Sequence, residues 1–369
     1  MPESLSAVQR HRLVDEWANG VELYDVPSVE SLIECGRRVP ILRTAVRHGG
    51  HILTYAELFG RLDGGAIGTA GPSLDGLATL LCDIAEAAQT DSTLDFGASG
   101  ISLSPDALAA AADDRRAVVA DHRETRIDRA FGSADVRLFA TRWDCADAAV
   151  ELLAALADGA TLVLATAAQR DDPVALAELI STCAATHVVA PVAILSRLAD
   201  RPAPALPSVR RWDVTGTACP AVLSGLLRAI APGSVAGFAY SAAEYAGVAA
   251  RGPLDGSGRV RPIPGARLLV LDESLNVVTP GETGDVYLGG AALAANAPGF
   301  VSDPFATGNL CGTGARGHWT ADGWLVFDAA TPVEAATALV TADSMDAVSA
   351  ATASDRIASG ADGEVGYAA

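Results

Sequence analysis

Between residues 136 and 250, short β-rich runs alternate with helices that are apolar on one face. That alternation admits one class of fold. "DVRLFATRW", "ATLVLATAA", "THVVAPV", "VRRWDVTG" and "SVAGFAYS" read as strands, and "AAVELLAALADG", "DPVALAELISTCAA", "AILSRLAD" and "PAVLSGLLRAIAPG" read as helices between them. Near-continuous apolar strands need cover on both faces, so the order predicts an α/β protein with a helix-covered parallel sheet. Ligands on such sheets bind beyond the C-terminal strand ends. "VTGTACP" and "FAYSAAE" fall there.

The flanks differ in style. Residues 1–52 hold an amphipathic helix ("VQRHRLVDEWANG"), a Pro-containing link, a second helix ("SVESLIECGRR") and a β-like segment that turns at His48-Gly49-Gly50. Gly clusters break residues 61–135 into loop, helix ("LATLLCDIAEAAQ"), loop ("FGASGISLS") and helix. From 258 to 330 the pattern is that of a small antiparallel β subdomain, with "ARLLVLDESLNVV", "GDVYLGG" and the hairpin-like "HWTADGWLVFDA". The expected organisation is 1–52 first helices, 53–257 α/β core, 258–330 β-rich subdomain and 331–369 tail.

Composition excludes several functions. The net charge of −19 repels phosphate backbones, which argues against nucleic-acid partners. No run reaches the roughly 18–20 apolar residues of a spanning helix, and the N-terminus has no signal-like apolar stretch, so a cytoplasmic protein without membrane partners is expected. Six scattered Cys form neither a C-x-x-C pair nor a disulfide framework. All 26 basic residues are Arg. The sequence therefore offers no lysine for a Schiff base or for a phosphate loop.

Several phrases resemble the amino-acid adenylation domains of nonribosomal peptide synthetases, which are adenylate-forming enzymes. They are "LTYAEL" (53–58), "AAVELLAALADGATLVLA", "LPSVRRWDVTGTACP", "FAYSAAE", "PIPGARLLVLDESLNVVTPGETGDVYLGGAALA" and "GTGARGHWTADGWLVF", and the likeness runs over residues 10–330. It implies the N-terminal core of the adenylate-forming fold, trimmed after "LTYAEL". The C-terminal subdomain that carries a catalytic Lys is expected to be largely missing, with residues 331–369 as its remnant or a tail.

In that family the reaction joins a carboxylate to the α-phosphorus of ATP and needs clamps on negative charge. Residue by residue, the resemblance implies a vestigial nucleotide site. "FGASGISLS" keeps Gly97, Ser99 and Gly100 of the phosphate loop but not its Lys. The Tyr-Gly-Pro-Thr-Glu loop keeps Tyr240 and Glu244, with Ala243 in place of the phosphate-touching Thr. Glu244 is the vestigial Mg²⁺ ligand. Ala315 stands where the family's Asp holds the ribose hydroxyls, a loss of two charge-assisted hydrogen bonds and about 3–5 kcal/mol of affinity; nearby Asp322 or Asp328 is the alternative acceptor. The Asp that grips the substrate ammonium maps onto Ala146 without gaps, or onto Asp144 with a small one. ATP and Mg²⁺ binding are expected to be lost.

Three functions compete. The first is a catalytically silent pseudo-adenylation protein that docks on a synthetase module, a carrier protein or a tailoring enzyme, as a heteromer or homodimer. The second is a repurposed enzyme acting on a carrier-bound acyl thioester. Its candidate nucleophiles are Cys219, Ser241 and Cys145, and its candidate bases are His122, His187 and His318, although His187 and Cys219 also read as core residues. The third is half of a split adenylation enzyme completed in trans.

Overall fold

The computed structural model describes residues 5–21, 25–65, 73–96, 100–120, 135–143, 145–199, 205–216, 220–296 and 299–328. Cys219, Gly97, Ser99, His122 and Asp144 lie outside them, as does all of the expected tail. The described fold belongs to one compact unit, Met1–Phe327.

In chain order the strands are β1 (Thr44–His48), β2 (His51–Thr54), β3 (Leu94–Phe96), β4 (Ile101–Leu103), β5 (Val136–Phe139), β6 (Thr161–Leu164), β7 (His187–Pro191) and β8 (Arg211–Thr215). They continue as β9 (Val235–Ser241), β10 (Val248–Pro253), β11 (Arg259–Pro262), β12 (Ala266–Leu271), β13 (Gly284–Gly290), β14 (Phe300–Ser302), β15 (Asn309–Trp319) and β16 (Leu325–Phe327). One sheet runs β12-β13-β15-β16-β11-β10-β9-β8-β7-β5-β6-β1-β2, with β14 on β15. Its ladders from β9 through β8, β7, β5 and β6 to β1 are parallel. From β9 outward to β12 every ladder is antiparallel. The expected parallel core and antiparallel region are thus joined edge to edge across β9–β10.

Local chemistry sets the elements. Thr54 and Glu57 form a capping box that starts helix Tyr55–Gly64 directly from β2, satisfying two orphan amides. Asp172 caps helix Pro173–Cys183, with Pro at its first turn. Gly159, at φ 69°, ends helix Ala146–Asp158 in the left-handed conformation that a glycine adopts without strain. That helix is buried from Ala148 through Leu156, because it is sandwiched between helices and sheet. Its alanines let neighbouring helices approach closely, which is what the Ala-rich sequence provides.

One element differs from expectation. "FGASGISLS" reads as a loop, yet its flanks form a two-stranded hairpin, β3 with β4. The partners that order it are remote: the Ser102 amide donates to Asn296 Oδ1 at 2.7 Å and the Ala295 amide to Ser102 O at 2.8 Å. Among the described residues no helix is long and apolar enough to cross a membrane.

Candidate functional site

The connection from β9 to β10 carries "AAEYAG" at the C-terminal ends of the parallel strands. Three contacts fix its course. The Tyr245 amide donates to Ala242 O (3.1 Å), the Ala294 amide to Glu244 O (2.8 Å) and the Ala246 amide to Ala292 O (2.8 Å). Residues 292–296 therefore stitch the Glu244 turn to the β3–β4 hairpin, whose tip includes Gly100 at φ 66°. Glu244 is half-buried and Ala243 is exposed.

Tyr240 is engaged internally rather than presented. Its ring stacks on Phe327 with centroids 4.1 Å apart. Its hydroxyl hydrogen-bonds the Thr313 side chain, and the residue is 2% exposed. Burial pushes the phenol up to about 12, against the lowering effect of Thr313. Thr313 also donates to Val286 O (2.9 Å) and accepts from the Ala315 amide (3.2 Å). This holds a break in the β13–β15 register in which Ala315 packs its methyl against the core. The structure thus brings Tyr240, Glu244, Ala315 and the Gly100 hairpin to one end of the sheet. Cys311 lies within electrostatic reach of Glu244, and its thiol is pushed up to about 11, first by burial and then by that carboxylate. Among the described residues no group of three or more His, Cys, Asp or Glu is placed to hold a metal ion.

The other candidates sit elsewhere. His187 opens β7, at the N-terminal end of a strand whose far end, Pro191, pairs with Thr215. It is buried, its Nδ1 lies 2.8 Å from Thr186 Oγ1, and its Nε2 has no hydrogen-bond partner. Burial above all holds its pKa down at about 4. It occupies the end of the sheet opposite the Glu244 turn. Cys145 precedes helix Ala146–Asp158, with its thiol 2.9 Å from Arg142 O.

The sequence reading missed a buried ionic lattice between helices Pro105–Ala120 and Ala146–Asp158 and the sheet. Arg115 Nε lies 2.6 Å from Glu151 Oε1 and its Nη1 lies 3.5 Å from Asp213 Oδ2. Arg137 reaches Asp158 at 2.7 Å and Glu151 at 3.6 Å. Arg211 pairs with Asp213 at 2.7 Å, and Arg251 with Asp114 at 2.6 Å. Burial pushes the Asp213 carboxyl upward, but Arg211 and Arg115 outweigh it and hold the group well below the usual carboxylate range. A Cβ on Gly237 would lie 3.3 Å from Arg211 Nη2, so the bare β9 backbone leaves room for that guanidinium. The available signal was charge inside apolar runs: Arg137 in "VRLF", Glu151 in "VELL", and Arg211 with Asp213 in "RWDV". Buried apart from the partly exposed Arg251, these groups fix helix against sheet and are not presented to a substrate.

The family model described as AMP-binding enzyme matches residues 116–296. Novobiocin biosynthesis protein H of Streptomyces niveus is 36% identical over 180 residues, which cover 47% of this chain and 29% of that protein. A probable non-canonical nonribosomal peptide synthetase, CymA, of Salinispora arenicola (strain CNS-205) is 33% identical over 237 residues, covering 58% of this chain and 3% of the synthetase. The chain thus spans well under half the length of these relatives. Among solved structures, the AMPPNP-bound form of the nonribosomal peptide synthetase FmoA3 (S1046A) has a TM-score of 0.71 at 18% identity, covering 87% of this chain and 44% of that one. VinN has a TM-score of 0.60 at 17% identity and is covered over its full length, by 83% of this chain.

Proposed function

Since the chain is adenylation-domain-like and related to nonribosomal peptide synthetases, we propose that it acts by binding and not by adenylation. It is a catalytically silent pseudo-adenylation protein that docks on a synthetase module, a carrier protein or a tailoring enzyme. The observation that carries this reading is Ala315. The position implied to hold the ribose presents a methyl group packed against the core.

Three further features support it. Tyr240, the aromatic residue of the implied nucleotide loop, has a ring face taken by Phe327 and a hydroxyl taken by Thr313. Glu244 is a lone half-buried carboxylate, short of the oxygen-rich shell that Mg²⁺ demands. The 369 residues contain no Lys to clamp developing phosphate charge. These residues do not fit a magnesium nucleotide. What stays well built is the scaffold, where the buried lattice and the continuous sheet hold a fixed shape.

The test is amino-acid-dependent ATP–pyrophosphate exchange by the purified chain over all proteinogenic amino acids. Silence with every one is expected. Exchange above the no-enzyme background with any one of them overturns the proposal.

A further inference from the structure

Helix Leu74–Thr90 is a ridge between two clefts of about 460 and 430 Å³ that share Glu86 in their linings. Leu94, Phe96 and Trp143 give the first an apolar wall, with Asp83 and Asp95 beside them. Ile33 and Leu62 do the same for the second, beside Glu30, Glu34 and Asp63. Among the described residues the combined lining holds six carboxylates (Glu30, Glu34, Asp63, Asp83, Glu86 and Asp95) against one guanidinium, Arg37, a balance of −5. Arg37 is itself spent on Asp63 at 2.6 Å.

Asp83 and Glu86 stand one helical turn apart on the same face, where like charges destabilise a helix. No ion pair relieves either carboxylate among the described residues, while Arg61 and Asp75, near the start of the same helix, do pair. The Asp83 carboxyl is raised by partial burial first and by Glu86 second. Half-buried charge without a counter-ion costs free energy, and a cationic partner would return it. Each cleft has the volume for a side chain or two, not for a folded element.

From this geometry and charge we propose that the face docks a basic, amphipathic segment of a partner protein. One apolar anchor enters each cleft, and arginine or lysine side chains cross the ridge onto Asp83 and Glu86. The inference rests on the reading that the chain works by binding, and it names the chemistry of the partner. A second copy of this acidic chain does not supply such a segment as well as a basic partner does, and nucleic acid is repelled by the same carboxylates.

The test titrates the full chain against a fluorescein-labelled 14-residue peptide of arginine and leucine in amphipathic order. The comparison peptide replaces every leucine with glycine. Binding of the Arg/Leu peptide is expected, at least 10-fold tighter than the Arg/Gly peptide and weakened at least 10-fold by the double variant Asp83→Asn/Glu86→Gln. Removing the same charge elsewhere, with Glu178→Gln/Glu273→Gln, should change affinity by less than 2-fold. All four residues are at least partly exposed, so the variants are expected to fold. Equal weakening by both double variants, equal affinity for both peptides, or no binding overturns the proposal. The titration uses no nucleotide, so its failure is separable from that of the pseudo-adenylation reading.

Discussion

Glu151→Gln removes the charge that links two buried arginines while keeping the side-chain volume. In the native chain Glu151 is 1% exposed and lies 2.6 Å from Arg115 and 3.6 Å from Arg137. After the change, the ion pair that Arg115 keeps among the described residues is with the more distant Asp213, at 3.5 Å, and Arg137 keeps Asp158. A buried pair broken from one side costs about 3–5 kcal/mol, because the remaining charge is left without compensation. At an m-value of about 3 kcal/mol/M, the urea midpoint falls by about 1–1.7 M. The assay is urea unfolding followed by tryptophan fluorescence, with buried Trp212 among the reporters. Asp63→Asn, which breaks the exposed pair with Arg37, is expected to leave the midpoint in place because surface pairs are screened and mobile. If Glu151→Gln shifts the midpoint no more than Asp63→Asn does, the lattice is solvated and the reasoning fails.

Three further outcomes follow from the site and its surroundings. His187 is neutral in the fold down to about pH 4 but protonates near 6.5 when unfolded, so the unfolded chain binds the extra proton between those values. Stability should drop by about 3 kcal/mol as pH falls through that window, and His187→Gln should flatten the slope; an unchanged slope contradicts the assignment. Cys311, with its thiol pushed up to about 11, should resist a thiol reagent at pH 8 in the native chain and label on unfolding, as read by peptide mass mapping; rapid native labelling would contradict its burial. Phe327→Ala should cost about 3–5 kcal/mol as a large-to-small core change and uncover the Tyr240 ring without creating ATP affinity. Binding of ATP by that variant would make Phe327 a plug on a working site.

The parallel core was legible because each strand is its own apolar run and each helix its own amphipathic period, so the signal is local. The turn at His48-Gly49-Gly50 is local in the same way. The β3–β4 hairpin was not legible, since the side chain that orders it, Asn296, lies 194 residues from Ser102. The lattice failed to appear for a related reason: a lone Arg in "VRLF" reads as an edge or surface charge until Glu151 and Asp158 are brought against it. Tyr240 was the reverse case. The resemblance implies a residue of a nucleotide loop, and the return of the chain at Phe327 shows its ring face covered. Ala315 needed no structure to be seen, but its packing into the core did.

The most direct test of the central claim is a calorimetric titration of the full chain with ATP·Mg²⁺ at physiological salt. No heat beyond dilution is predicted, because Ala315 stands where the resemblance puts the ribose-holding aspartate and the sequence has no Lys to hold the phosphates. Saturable binding would contradict the account. It would show that the Glu244 turn and the Gly100 hairpin still form a nucleotide site.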